Sequence, residues 1–151
     1  MRMLPPARTL FCALLDAVQL HGRKTLLMED MKQTRDTYGS LLKKSLALGR
    51  LVAKVSEPEE AVGVLMPNVN TTVALIFGMT AMQRTPAMLN YTAGAQGMRN
   101  ACVAAAASTI ITSRQFIEAA RLEDVVAALH DFRILYLEDM RSSFGLKDKL
   151  W

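Results

Sequence analysis

No stretch of this chain has the spacing of a phosphate-cradling loop. Gly94-Ala95-Gln96-Gly97 carries two glycines, but neither the dinucleotide fingerprint nor the P-loop pattern surrounds them, and a loosely wound helix start accounts for them. Cysteine is scarce. Cys12 and Cys102 stand ninety positions apart, each inside an apolar helix-like stretch. That argues against a disulfide framework or a thiolate metal site, and leaves two buried free thiols in a reducing cytosol as the expectation. The two histidines, His21 and His130, each end a predicted helix, where an imidazole suits the helix dipole and is structural. Aromatics make up 6% of the chain, and its 18 Lys and Arg are scattered among 14 Asp and Glu. Nucleic-acid binding would need a basic stripe with interleaved aromatics, so no nucleic-acid partner is expected. The densest basic group, Lys43, Lys44, Arg50 and Lys54, reads as the solvated face of one helix, with an anionic partner as the alternative. Long apolar runs are missing too. Residues 69–83 are uncharged but contain Asn70, Thr71 and Thr72 and fall short of the ~20 residues that span a bilayer. The run at 10–15 is interrupted by Asp16 and lacks a cleavage site, so it does not fit a signal peptide. The expectation is a soluble, cytoplasmic chain.

What is present is a 51% hydrophobic chain of 151 residues, about one domain in length. Leu10, Phe11, Leu14, Leu15 and Val18 recur at helical spacing and predict a helix over 7–20, ended by His21-Gly22. Residues 25–30 read as a short strand and 32–36 as a turn. Thr37 is the expected N-cap of the longest helix, 38–54, although Ser40 stands where a capping box would want Glu or Gln. From there the pattern alternates. Strands are predicted at 62–66, 86–89, 109–112 and 133–137, and helices at 71–82, 94–107 and 115–129. Such alternation means crossover connections and a mainly parallel sheet with helices on both faces, an α/β fold. The helix at 71–82 is apolar almost all round and must be covered on all sides. Residues 142–151 are polar and have no place in that sheet, so the chain reads as truncated.

Polar residues collect at the predicted strand ends: Pro67-Asn68, Asn90-Tyr91-Thr92, Thr112-Ser113-Arg114-Gln115 and Glu138-Asp139. If the strands are parallel, all four groups lie along one edge of the sheet, where open α/β sheets bind ligands. The same residue types are ordinary turn formers and helix caps. Ser113 as the cap of the following helix is simpler than Ser113 as a nucleophile, since no His is near it in sequence and no G-x-S-x-G elbow surrounds it. Glu138 and Asp139 are read as alternating faces of an extended segment, not as an acid/base pair.

Leu65-Met66-Pro67-Asn68, the apolar helix with Phe77-Gly78, and Pro86-Ala87-Met88-Leu89-Asn90-Tyr91-Thr92 resemble the N-terminal part of AMP-forming acyl-adenylating enzymes. Thr37-Tyr38 and Thr109-Ile110-Ile111-Thr112-Ser113 fit the same pattern. Within that group, Asn90-Tyr91-Thr92-Ala93-Gly94, Thr112-Ser113-Arg114-Gln115-Phe116 and Tyr136-Leu137-Glu138-Asp139 look closest to one branch. It is the acyl-[acyl-carrier-protein] synthetase part of a bifunctional 2-acylglycerophosphoethanolamine acyltransferase. Lys147-Asp148-Lys149-Leu150-Trp151 is similar to a segment preceding the family's nucleotide loop.

The resemblance implies that residues 1–151 are an incomplete N-terminal subdomain of such an AMP-binding domain. It implies a parent reaction in which fatty acid and ATP, with Mg²⁺, give an acyl-adenylate. The acyl group then passes to acyl carrier protein for lysophospholipid re-acylation at the inner membrane. The phosphate loop, the adenine and ribose motifs and the C-terminal lysine have no counterpart in these residues. No catalytic or metal-binding residue is therefore carried over, no cofactor is expected to bind the chain tightly, and the missing C-terminal part is its first expected partner. Asn68, Asn90, Tyr91, Thr92 and Ser113 are the cleft-shaping candidates. The alternatives are a stand-alone α/β ligand-binding module and a fragment of an acyl-CoA ligase.

Overall fold

Thr9 opens α1 (Leu10–His21) by accepting a hydrogen bond from the Cys12 N–H, and Gly22, at φ +85°, closes it. A computed structural model describes residues 9–145, the side chains of 144 and 145 excepted, so the predicted helix start at 7 lies outside the described residues. α1 turns Leu14 and Val18 fully inward. Cys12 faces out, so the expectation of two buried thiols holds for Cys102 alone.

β1 (Leu26–Glu29) and β2 (Arg35–Thr37) pair antiparallel in a ribbon of their own. Residues 35 and 36, expected in a turn, are therefore strand, and the first predicted strand does not join the main sheet. The reason is Asp30. Its Oδ1 accepts from the N–H groups of Lys32 and Thr34 at 2.9 and 3.0 Å, which confines the reversal to residues 30–34. Thr37 caps α2 (Tyr38–Ala53), accepting from the Ser40 N–H at 3.1 Å. The Ser40 hydroxyl turns back to Asp36 at 2.7 Å, the direction a capping-box glutamate would take.

The remaining order is β3 (Ala61–Leu65), α3 (Asn70–Ala81), β4 (Thr85–Met88), a 3₁₀ turn (Tyr91–Ala93), α4 (Gly94–Ala105), β5 (Thr109–Thr112), α5 (Arg114–Ala120), α6 (Glu123–Ala128), β6 (Arg133–Tyr136) and α7 (Leu137–Gly145). The four strands from β3 onward form one parallel sheet in the order β4-β3-β5-β6. Its two faces carry separate cores. Val62, Val64 and Ile111 pack with side chains of α1, α2, α3 and α7, while Leu65 and Ile110 pack with those of α4, α5 and α6. Each of these strand residues is 0–1% exposed, a burial worth roughly 1.5–3 kcal/mol per side chain.

α3 packs against the sheet, α1 and α2, but the all-round cover its composition predicts is not complete: Thr71, Val73, Ile76, Phe77, Thr80 and Ala81 stay partly exposed. The α2–α3 crossing runs through Gly49 and Gly78, close enough that a Cβ on Gly78 would lie 2.1 Å from the Ser45 carbonyl oxygen.

Two other elements differ from expectation. The helix predicted over 115–129 is broken into α5 and α6 by Arg121, left-handed at φ 55° and ψ 51°. The Leu122 N–H then bonds back to the Ile117 carbonyl at 2.9 Å, and Leu122 drops into the core, a Schellman closure with its hydrophobic contact. β6 ends at Tyr136 and α7 begins at the next residue. Glu138 and Asp139 thus stand in the first turn of a helix, where the dipole favours negative charge, and not on an extended segment. Ser142 and Ser143 continue α7, and residues 146–151 lie outside the described residues. Among the described residues no helix is long and apolar enough to cross a membrane.

Candidate functional site

The chain leaves β3 to form β4 on one side, then crosses back to form β5 on the other. Oppositely directed crossovers part at this point and leave a crevice beyond the carboxyl ends of β3 and β5. A cleft of about 430 Å³ occupies it. Its apolar wall comes from Met66, Pro67 and Val69 after β3, Phe116 and Ala119 of α5, and Leu137 of α7. Lys32 and Arg141 stand at it as cations, and Ser113 and Glu138 supply a polar side.

That polar side is a closed hydrogen-bonded set. The Ser113 hydroxyl donates to Glu138 Oε1 at 2.6 Å, and the Arg114 N–H donates to Oε2 at 3.0 Å. The Arg114 guanidinium pairs with Asp139 at 2.5 Å and lies 4.0 Å over the Tyr136 ring centroid. Burial works to raise the Glu138 pKa, but the Ser113 hydroxyl and the Arg114 N–H outweigh it and hold the carboxyl below its usual range. An ionised carboxylate accepting the Ser113 proton fixes the hydroxyl, and no imidazole stands beside it to take that proton onward. Ser113 also accepts from the Phe116 N–H at 3.4 Å, the capping role read from the sequence.

The other candidates are spread around this cleft. Asn68 is exposed, between the two cleft residues Pro67 and Val69. Asn90 Oδ1 accepts from the Thr92 N–H and hydroxyl at 3.0 and 2.6 Å, so both residues are engaged in a local turn. Tyr91 meets the Phe116 ring edge-on, centroids 5.4 Å apart, and supports the cleft wall without lining it. The structure therefore brings Ser113 to the cleft and Tyr91 beside it, and leaves Asn68, Asn90 and Thr92 out of its lining.

Sequence reasoning missed a buried knot next to the cleft. Asn70, 3% exposed, donates from its side chain to the Thr34 carbonyl at 2.8 Å and to Asp36 at 2.9 Å, while its N–H donates to Asp30 at 3.1 Å. Asp36, equally buried, also pairs with Lys44 at 2.7 Å. Burial pushes the Asp36 pKa up, but Lys44, Ser40 and Asn70 together hold it below the usual range. The knot anchors the ribbon to the start of α3 and places Lys32 at the cleft. The available signal was Asn70 itself, an amide in an apolar run that would need buried partners.

A larger, more open hollow of about 750 Å³ lies at the opposite, amino-terminal edge of the sheet. Its buried Arg84 makes four hydrogen bonds, to the carbonyls of Ala53, Ser56 and Met82 and to the Ser56 hydroxyl, a structural tie between α2 and β4. Ligand chemistry in such sheets sits at the carboxyl edge. Among the described residues no group of three or more His, Cys, Asp or Glu could hold a metal ion.

No family model matches the chain. Solved structures share its fold. It superposes on VinN with a TM-score of 0.75 at 20% identity, over 93% of this chain and 36% of that one. The N-terminal domain of FACL13 from Mycobacterium tuberculosis gives 0.71 at 13% identity, over 90% and 35%. The anthranilate CoA ligase AuaEII, in complex with anthranoyl-AMP, gives 0.72 at 15% identity, over 92% and 27%. The fold is that of a partial N-terminal subdomain of adenylate-forming enzymes, and the chain spans about a third of the length of the structures it matches.

Proposed function

We propose that residues 1–151 are the N-terminal subdomain of an AMP-forming enzyme that activates a fatty acid as its acyl-adenylate and passes the acyl group to acyl carrier protein, feeding lysophospholipid re-acylation. The observation that carries this reading is the fold match over nine-tenths of the chain but only about a third of its neighbours. The matched neighbours were solved with different ligands, L-aspartate in one and anthranoyl-AMP, an acyl-adenylate, in another, so the fold does not select the acyl group. The fatty-acid branch is supported by the motif likeness around Asn90–Gly94, Thr112–Phe116 and Tyr136–Asp139.

The residues present do not fit ATP and Mg²⁺. The first N–H of α3 is already taken by Asp30, and among the described residues no group of three or more His, Cys, Asp or Glu could hold a metal ion. Charge developing on an α-phosphate needs such donors, so the chain by itself does not adenylate. ATP–pyrophosphate exchange with long-chain fatty acid should therefore be undetectable for the isolated chain, and clear turnover would overturn the proposal. Substituted for the matching segment of an acyl-carrier-protein synthetase, the chain should support loading of carrier protein. A chimaera that charges only coenzyme A would favour the acyl-CoA ligase branch.

A further inference from the structure

We infer that the ribbon of β1 and β2 is a self-association surface, on which a second copy of this chain pairs antiparallel along the free edge of β1 about a two-fold axis. Three observations carry this. β1 has a strand on one side only: it pairs with β2, the ribbon stays apart from the four-stranded sheet, and among the described residues no strand lies on its other edge. A two-stranded ribbon is marginal by itself, and its unpaired N–H and C=O groups are a template for another strand. Exposed apolar side chains gather at the same place. Among the described residues, six of the nine large ones (Leu10, Leu15, Leu20, Leu26, Leu27 and Met31) belong to α1 and the ribbon. Of β1 only Met28 packs against the core, and the register shift between Leu26 and Met28 leaves both leucines exposed. The third observation is the order of charge along the edge: basic at Arg23-Lys24, apolar at Leu26-Leu27-Met28, acidic at Glu29-Asp30.

An antiparallel second copy reads that order in reverse. A two-fold axis at Leu27 sets Leu27 of one copy against Leu27 of the other, Leu26 opposite Met28, and the basic pair of each copy beside the acidic pair of the other. A parallel arrangement would set like charges side by side. Arg23 and Lys24 have no carboxylate in ion-pair contact among the described residues. Asp30 is spent on the N–H groups of Lys32, Thr34 and Asn70. Glu29 pairs with Arg35 at 2.9 Å, but Arg35 stands on β2, the strand away from the shared edge. Glu29 is therefore the carboxylate that meets Lys24 of the other copy, with Arg35 behind it. Lys32 and Arg35 balance the acidic end as a whole, so the match is between neighbouring side chains and not between fields. Because the same edge serves both copies, the pairing closes at two.

Sedimentation equilibrium of the 151-residue chain should give a mass that rises with concentration from 16.7 kDa to twice that value and no further. Lys24→Glu and Glu29→Lys should each weaken the dimer about tenfold, since each sets like charges together at both symmetry-related contacts. Mixed one to one, the two variants should regain the wild-type association, because every charge then faces its opposite. Leu27→Lys should leave the chain monomeric, and Val103→Lys, on α4 across the sheet, should change nothing. A monomer at every concentration, assembly beyond two copies, or charge variants that associate like wild type or fail to recover on mixing would overturn the proposal. So would protection of the Leu26–Glu29 amides from hydrogen exchange that is the same at all concentrations, since a segment of the same chain would then hold the edge. Far-ultraviolet circular dichroism checks that each variant is folded.

Discussion

Gly78 carries no functional group, yet one added methyl there has nowhere to go. Its Cβ would meet the Ser45 carbonyl oxygen at 2.1 Å and the Gly49 nitrogen at 2.7 Å, both backbone atoms. Glycine inside a helix costs about 1 kcal/mol relative to alanine, and here close approach of α2 and α3 offsets that cost. Gly78→Ala should destabilise the chain by at least about 1–3 kcal/mol, seen as a lower urea midpoint at unchanged slope. A wild-type midpoint would mean the helices do not cross there. The Ser45 hydroxyl, buried beside this crossing, has no hydrogen-bond partner among the described residues. Asp36 makes a second prediction at this scale. Its folded pKa lies below its unfolded value, so the stability it contributes is present above about pH 4 and is lost as pH falls through the folded pKa. Asp30, Asp131 and Glu138 are depressed as well and keep the chain acid-sensitive. Asp36→Asn should lower stability at pH 6 and flatten its fall between pH 5 and pH 3, measured by urea titration at each pH; an unaltered slope would show that the Lys44 pair is not formed.

At the scale of elements, the long helices were legible because their periodicity and caps agree. Thr37 before α2 and the alternation from β3 onward point to one answer at every level. The broken elements were not legible, because what breaks them is non-local. Nothing in residues 115–129 marks Arg121 as left-handed until Leu122 has a core to enter, and β1 reads as a sheet strand until Asp30 engages Asn70, forty positions on. The helix α5 illustrates the stakes. With only seven residues, it depends on Ser113 for its cap and, through Ser113 and Arg114, on Glu138 of α7. Ser113→Ala should cost about 1 kcal/mol, recoverable in part by threonine. Thermal melts of the two variants would check it, and equal melting temperatures for alanine and wild type would remove the cap from the account.

For the whole molecule, the sheet has β4 and β6 as outer strands, and Leu20, Met31 and Val103 are 78, 95 and 71% exposed. Exposed apolar side chains together with open sheet edges favour association. Size-exclusion chromatography should show a species larger than the 16.7 kDa monomer that grows with concentration, and a sharp monomer at every concentration would count against the subdomain reading.

Composition and periodicity alone determined that the chain is α/β, that most of its strands run parallel and that polar groups gather at their carboxyl ends. Those are local properties, set by which residues recur at which spacing. Only the tertiary structure decided that Ser113 meets Glu138, that Asn70 ties the ribbon down, and that Lys32 and Arg141 share one cleft. These pairs lie tens of residues apart in sequence; the β5–β6 pairing brings Ser113 to Glu138, and the packing of the β1–β2 ribbon on the start of α3 makes the Asn70 knot, which no local pattern encodes.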